Sequence, residues 1–181
     1  MNPTESKQDP NSESVVEKEA QSRHEALYDR FVERARELFD VSQEKSKEAM
    51  EKAMDVAHQQ LSNAEEFSVE QGEAFKKFMR RDLEQMALYI QQKSKEAKEY
   101  LHPARLGAGA LSSMAQLLKA TGLALQSLSQ KTEDALHYQT GEITSAGTLS
   151  CTGCGQKMHL KRTSKIPPCP SCHATKFLKG Y

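Results

Sequence analysis

Two C-x-x-C pairs, Cys151/Cys154 and Cys169/Cys172, stand fourteen residues apart near the end of a 181-residue chain. Each pair can turn tightly and present two sulfurs in one direction, and a hairpin between the pairs brings the turns together. Four thiolates then close a tetrahedron at about 2.3 Å around one ion, a shell suited to Zn2+. Tetrahedral sulfur does not by itself choose between zinc and iron; the precedent of structural sites favours zinc. The interval is one residue below the usual ~15–20 for this pattern, which a hairpin loop tolerates. Gly155 directly follows the first pair, where a positive φ is convenient. His173 holds the equivalent place in the second pair and tolerates that geometry better than most residues with a Cβ. Met158 and Leu160 alternate with His159 and Lys161 as a strand requires, and Leu149 and Phe177 are placed to cover the metal. So small a unit lacks the core to stand alone, and its metal is expected to be structural.

Rival chemistries fit less well. The N-terminus, MNPTESKQDPNSES, has neither the basic start nor the apolar run of a signal peptide. A cytoplasmic location is therefore expected, where thiols stay reduced and metal is favoured over disulfides. Redox C-x-x-C motifs usually come singly, at a helix start in a βαβ context, which this sequence lacks. Catalytic zinc keeps a position open for water or substrate, and four cysteines leave none. There is no HExxH, Walker loop, GxGxxG or GxSxG elsewhere. His137 and Glu142 near the ribbon read as capping or structural groups. The chain is expected not to be an enzyme.

The remainder is helical in character. Aromatic residues make up 6% of the chain and mean hydropathy is −0.72, which suits helices with narrow apolar stripes better than one large core. Residues 1–22 are polar and are expected to be disordered. From His24 to Glu66 the stripe runs Leu27, Phe31, Ala35, Leu38, then Ala49, Ala53, Ala57 and Leu61. It is polar from Ser42 to Ser46, where a break is expected. A second helix is expected over Val69–Leu101, capped by Ser68 and stopped by Pro103. Its stripe is Phe75, Met79, Leu83, Met86 and Ile90. A third is expected over Ala110–Tyr138. The apolar run Leu106–Leu118 is shorter than the ~20 residues of a membrane span. The expected fold is mainly α: long N-terminal helices, as a hairpin or bundle with coiled-coil-like stripes, followed by a small β zinc ribbon. The divisions are 1–22, a helical region 23–138, a linker 139–150 and the ribbon 151–181.

Three stretches carry a family likeness: RRDLEQMALY at Arg80–Tyr89, ALHYQTGEITSAGTLSC at Ala135–Cys151, and the two cysteine pairs. With them the sequence from Arg80 to Tyr181 resembles the bacterial zinc-ribbon proteins of the YbeL type, whose function is uncharacterised. The resemblance implies a helical region followed by a four-cysteine ribbon, with Cys151, Cys154, Cys169 and Cys172 as zinc ligands and no enzyme activity.

Charge is unevenly placed. Residues 151–181 hold Lys157, Lys161, Arg162, Lys165, Lys176 and Lys179 and no acid, so the neutral chain divides into a basic ribbon and an acidic remainder. Two partner classes follow. The long stripes predict a homo-oligomer or a helical protein partner for an adaptor. The basic ribbon predicts weak, sequence-nonspecific contact with nucleic acid through Lys157, Lys161, Arg162 and Lys165.

Overall fold

A run of Glu, Arg, Ala, Gln and Leu without an internal Gly or Pro builds the first helix, α1 (Pro10–Asp40). Its proline lies in the first turn, where the missing N–H is not needed. The computed structural model describes residues 10–92, 106, 109–121 and 137–181. Segment 1–22, expected to be disordered, is thus helical from Pro10. Val15 to Ser22 are all exposed, so these residues bury nothing and their helix rests on local propensity.

The expected break is present. Lys45 Nζ donates to the carbonyls of Phe39 and Asp40 at 2.6 and 2.9 Å, satisfying acceptors that the last turn of α1 leaves open. Helix α2 (Lys47–Asn63) then starts at Ser46, whose hydroxyl accepts from the Ala49 amide at 3.1 Å. Helix α3 (Val69–Gln92) opens on a reciprocal cap. The Gln71 amide donates to Ser68 Oγ at 3.2 Å, and the Ser68 amide to Gln71 Oε1 at 3.0 Å. The expected extension of this helix to Leu101 and its stop at Pro103 lie outside the described residues. Helix α4 (Ala110–Thr121) covers the first part of the third expected helix. Residues 122–136 lie outside the description, and Tyr138 belongs to a strand.

The helices share a core in which Phe75 is central, with ring centroids of Phe67, Tyr28 and Phe31 at 5.4, 5.5 and 6.1 Å. On α1 the buried apolar side chains are Tyr28, Phe31, Val32, Ala35 and Phe39, while Leu27 and Leu38 are half-buried. The core-facing stripe is therefore rotated from the Leu27–Leu38 reading, because the bulkier aromatics occupy its centre. Packed against α1, α4 buries Ala110, Met114, Leu117 and Leu118. Among the described residues no helix is long and apolar enough to cross a membrane.

Among the described residues there are six short strands: β1 (Tyr138–Gln139), β2 (Ile143–Thr144), β3 (Gly147–Cys151), β4 (Lys157–Leu160), β5 (Ser164–Lys165) and β6 (Lys176–Gly180). Four form an antiparallel sheet in the order β1-β6-β3-β4, and β2 pairs with β5. The segment 139–150, expected to be a linker, is instead part of the β structure. Its Gly, Thr and Ser content reads as a joint, but register pairing decides its conformation. Leu149 lies opposite Met158 and Lys179, and Cys151 opposite Phe177. Alternation places these residues on one face of the sheet and Thr148, Ser150, Lys157, His159, Lys176 and Leu178 on the other. The first face packs inward; the second is open to solvent, with Leu178 48% exposed.

Candidate metal centre and its seat on the helices

Both cysteine pairs adopt the same turn. The Gly155 amide donates to the Cys151 carbonyl and the His173 amide to the Cys169 carbonyl, each at 2.9 Å. Gly155 and His173 have φ of +74° and +58°, the left-handed geometry anticipated at both positions. The Cys151 amide donates to Gln156 O at 2.9 Å and the Cys169 amide to Ala174 O at 3.0 Å. Each loop is thus tied across its base, and its sulfurs turn toward those of the other.

The four sulfurs lie within 4.8 Å of one another. The Cys151–Cys172 and Cys154–Cys169 separations are both 3.6 Å. A tetrahedral shell with metal–sulfur bonds of about 2.3 Å has sulfur–sulfur edges of about 3.8 Å. All four cysteines are free thiols. Burial raises the Cys169 thiol, but backbone N–H groups of Cys172 and Ser171 and the neighbouring sulfurs outweigh it and bring it down to about 7. At Cys172 the Ala174 N–H acts downward, yet the crowded sulfurs prevail and push it up to about 12. Four sulfurs at this spacing do not all ionise without a cation among them. The donor set, spacing and electrostatics fit one tetrahedral metal ion. Cys151 and Cys169 are buried beside Leu149, Ile166, Phe177 and Tyr138, whereas Cys154 and Cys172 face solvent.

A family described as the zinc-ribbon containing domain matches residues 37–179. The chain belongs to this family. The match spans helices as well as ribbon and begins well before Arg80; it does not confirm the YbeL-type label. The family is uncharacterised. No curated protein and no solved structure matches the chain.

In this zinc-ribbon protein the metal unit sits on α3 through a buried polar cluster. Four consecutive residues of α3, Arg81, Asp82, Leu83 and Glu84, are all buried. Four successive helical positions cover most of the circumference, so α3 is enclosed at this turn. Lys179 on β6 and Asp82 are each 0% exposed and pair at 3.2 Å. Lys179 Nζ also donates to Thr144 Oγ1 and Ser145 Oγ at 2.8 Å and to Ser145 O at 3.0 Å. The Asp82 carboxylate accepts from the Thr144 hydroxyl and from the Ser145 amide and hydroxyl at 2.8–3.0 Å. Burial raises the Asp82 carboxyl, but Lys179, Arg81 and the Ser145 donors outweigh it and hold it below the ordinary aspartate value. Burial draws the Lys179 ammonium down to about 8 against the pull of Asp82.

Around this pair, Arg81 donates to Glu142 and, at 3.2 Å, to the Ile143 carbonyl. Its guanidinium carbon lies 3.8 Å from the Tyr138 ring centroid. Tyr181 donates to the Asp82 carbonyl at 3.2 Å and packs edge-on against Tyr89. A second contact joins the ribbon to α1: Thr163 Oγ1 donates to Asp29 at 2.5 Å, and the Lys165 amide to Glu25 at 3.0 Å.

The spacing of Cys151, Cys154, Cys169 and Cys172 therefore predicts a cluster that the fold assembles. Glu142 has a structural role as the acceptor for Arg81. Lys179 does not belong with the solvated lysines. The signal that could have found the seat is RRDLEQMALY itself, in which Asp82 precedes the stripe residue Leu83 and a charged residue occupies each flank.

Proposed function

We propose that this protein is a non-enzymatic interaction module of the bacterial cytoplasm, built around one structural zinc. The observation that supports this reading is how the ribbon divides its surfaces. One sheet face is spent on the helices, while the opposite face and the rim of the metal loops, with Cys154 and Cys172, are open. Zinc held by four thiolates has no position for substrate, so its contribution is to fold the ribbon and fix the open surface. In this reading the helices supply an oligomeric or partner contact and the ribbon is the presented head. Light scattering at micromolar concentration, combined with crosslinking in native cells after nuclease treatment, tests it. A dimer, or crosslinks to protein that Cys169→Ser abolishes, supports the adaptor. A monomer whose crosslinks all disappear with nuclease counts against it.

A second reading, weak nucleic-acid binding, is favoured by one observation. Lys157, Lys161, Arg162, Lys165 and Lys176 are all exposed, and among the described residues none makes an ion pair. Phe177 is buried and Tyr181 packs on Tyr89. The open surface therefore offers charge for phosphates but no Phe or Tyr ring for base stacking.

A further inference from the structure

We infer that the metal centre and the helical region are coupled, with the buried Asp82–Lys179 pair transmitting the metal state of the ribbon to α3. The inference rests on the metal reading above and on no particular partner.

The path is short and continuous. Cys151 lies in register with Phe177, and the Thr152 amide and hydroxyl both donate to the Lys176 carbonyl at 3.1 Å. The first metal loop thus fixes the start of β6. Two residues beyond Phe177, on the same face, Lys179 reaches Asp82. Leu149 stands opposite Lys179 on β3, the strand that ends in the ligand Cys151. Gly147 opens that strand and leaves the lysine room: a Cβ there would stand 2.7 Å from Lys179 Cε.

The seat is also one-sided. Every hydrogen bond described for the Asp82 carboxylate comes from Thr144, Ser145 or Lys179, all in the β region. From the helices the carboxylate has the Arg81 guanidinium at 3.5 Å. A ribbon of this size depends on its metal for folding. When the metal leaves, β6 loses the geometry that aims Lys179, and Asp82 loses its donors together. The helical core keeps its own packing around Phe75, so the response is confined to the turn of α3 at Arg81–Glu84.

Coupling of this kind is reciprocal. If metal binding favours the docked seat, the docked seat favours metal binding by the same factor. Asp82 and Lys179 touch no sulfur, yet they act as positioning residues for metal retention.

The test uses full-length protein loaded with Zn2+ and a chromophoric chelator as competitor. Lys179→Met and Asp82→Asn should each weaken zinc retention by about 5- to 150-fold, the usual range for coupled sites. Lys157→Gln, on the open face, should leave it unchanged. In the parent protein, hydrogen exchange should show the amides of Arg81–Glu84 and Ser145 losing protection as zinc is withdrawn, while those of Ala53–Ala57 on α2 stay protected. Folded variants that hold zinc as tightly as the parent would overturn the coupling. If a variant does not fold, exchange in the parent decides, and α3 amides indifferent to zinc removal would overturn it. A parent that never takes up zinc would overturn the metal reading itself, a separate outcome.

Discussion

Asp82 and Lys179 are 97 residues apart in sequence and meet at 3.2 Å with neither side chain exposed. Removing either partner of such a buried pair generally costs far more than the pair contributes, because a lone buried charge remains. The pair therefore specifies where the ribbon sits more than it adds to net stability. Its donors, Thr144, Ser145 and Lys179, and the neighbouring Arg81–Glu142 contact make the ribbon and α3 one packed unit, although their backbones belong to different structural classes.

Gly147 should be the least replaceable glycine of the β region. Its φ is +154°, and a Cβ would meet Lys179 Cε at 2.7 Å and Gly180 O at 3.0 Å. Gly147→Ala should cost about 1–3 kcal/mol through overpacking. Gly155, with φ +74° and no atom of the described residues within 4 Å of an added Cβ, bears only the backbone strain and should lose about 1 kcal/mol on the same change. Urea melts of the two variants check the order, and a Gly155→Ala loss exceeding that of Gly147→Ala would contradict it.

Asp29 should matter in two places. It accepts from the Ala110 amide at the start of α4 and from Thr163 of the ribbon. Asp29→Ala should lower stability by about 1–2 kcal/mol, the scale of a lost helix cap, and leave zinc content unchanged. Chemical denaturation with metal analysis of the folded variant measures both.

Glu33 provides a pH dependence. The Arg36 hydrogen bond is the largest influence on its carboxyl; it outweighs burial, which acts upward, and with the Ser113 hydroxyl holds the group below the ordinary value of 4.5. A carboxyl lowered in the folded state contributes stability above its unfolded value. That contribution is lost as pH falls from about 4.5 through the folded value. A carboxylate NMR titration should place Glu33 below 4.5, and Ser113→Ala should move it upward. A midpoint above 4.5 in the parent would contradict the Arg36 and Ser113 contacts.

Salt dependence separates the two functional readings. With three or four phosphates neutralised by Lys157, Lys161, Arg162, Lys165 and Lys176, log K on duplex DNA should fall with log salt at a slope of roughly −3 to −4. Replacing Lys161, Arg162 and Lys165 by Gln should flatten the slope without changing zinc content. No binding at low salt would leave the adaptor reading, with the lysines acting to keep sheet edges soluble.

Local chemistry was legible in the sequence where one residue type at one spacing sufficed. The cysteine pairs, the positive-φ positions Gly155 and His173, the Ser68 cap and the break at Ser42–Ser46 are of this kind. So is the α3 stripe of Phe75, Met79, Leu83 and Met86. What resisted reading depends on contacts distant in sequence. Lys179 looks like every other ribbon lysine until β6 is paired with β3. Asp82 looks like a solvated helix charge until Thr144 and Ser145 are brought to it. Tyr138 and Ile143 sit in a Gly- and Thr-rich stretch, where pairing partners, not local pattern, decide between strand and linker. On α1, Tyr28 and Phe39 lie one position beyond the leucines at 27 and 38, and only the packing of α2 and α4 settles which stripe faces inward.

The metal centre is tested most directly by mass spectrometry of reductively purified protein under native conditions, followed by thiol alkylation with and without chelator. One zinc per chain is expected, with Cys151, Cys154, Cys169 and Cys172 resisting alkylation until the chelator is added. Cys169→Ser should lose most of the metal. Metal-free protein with four freely alkylated thiols, or with two disulfides, would contradict the account.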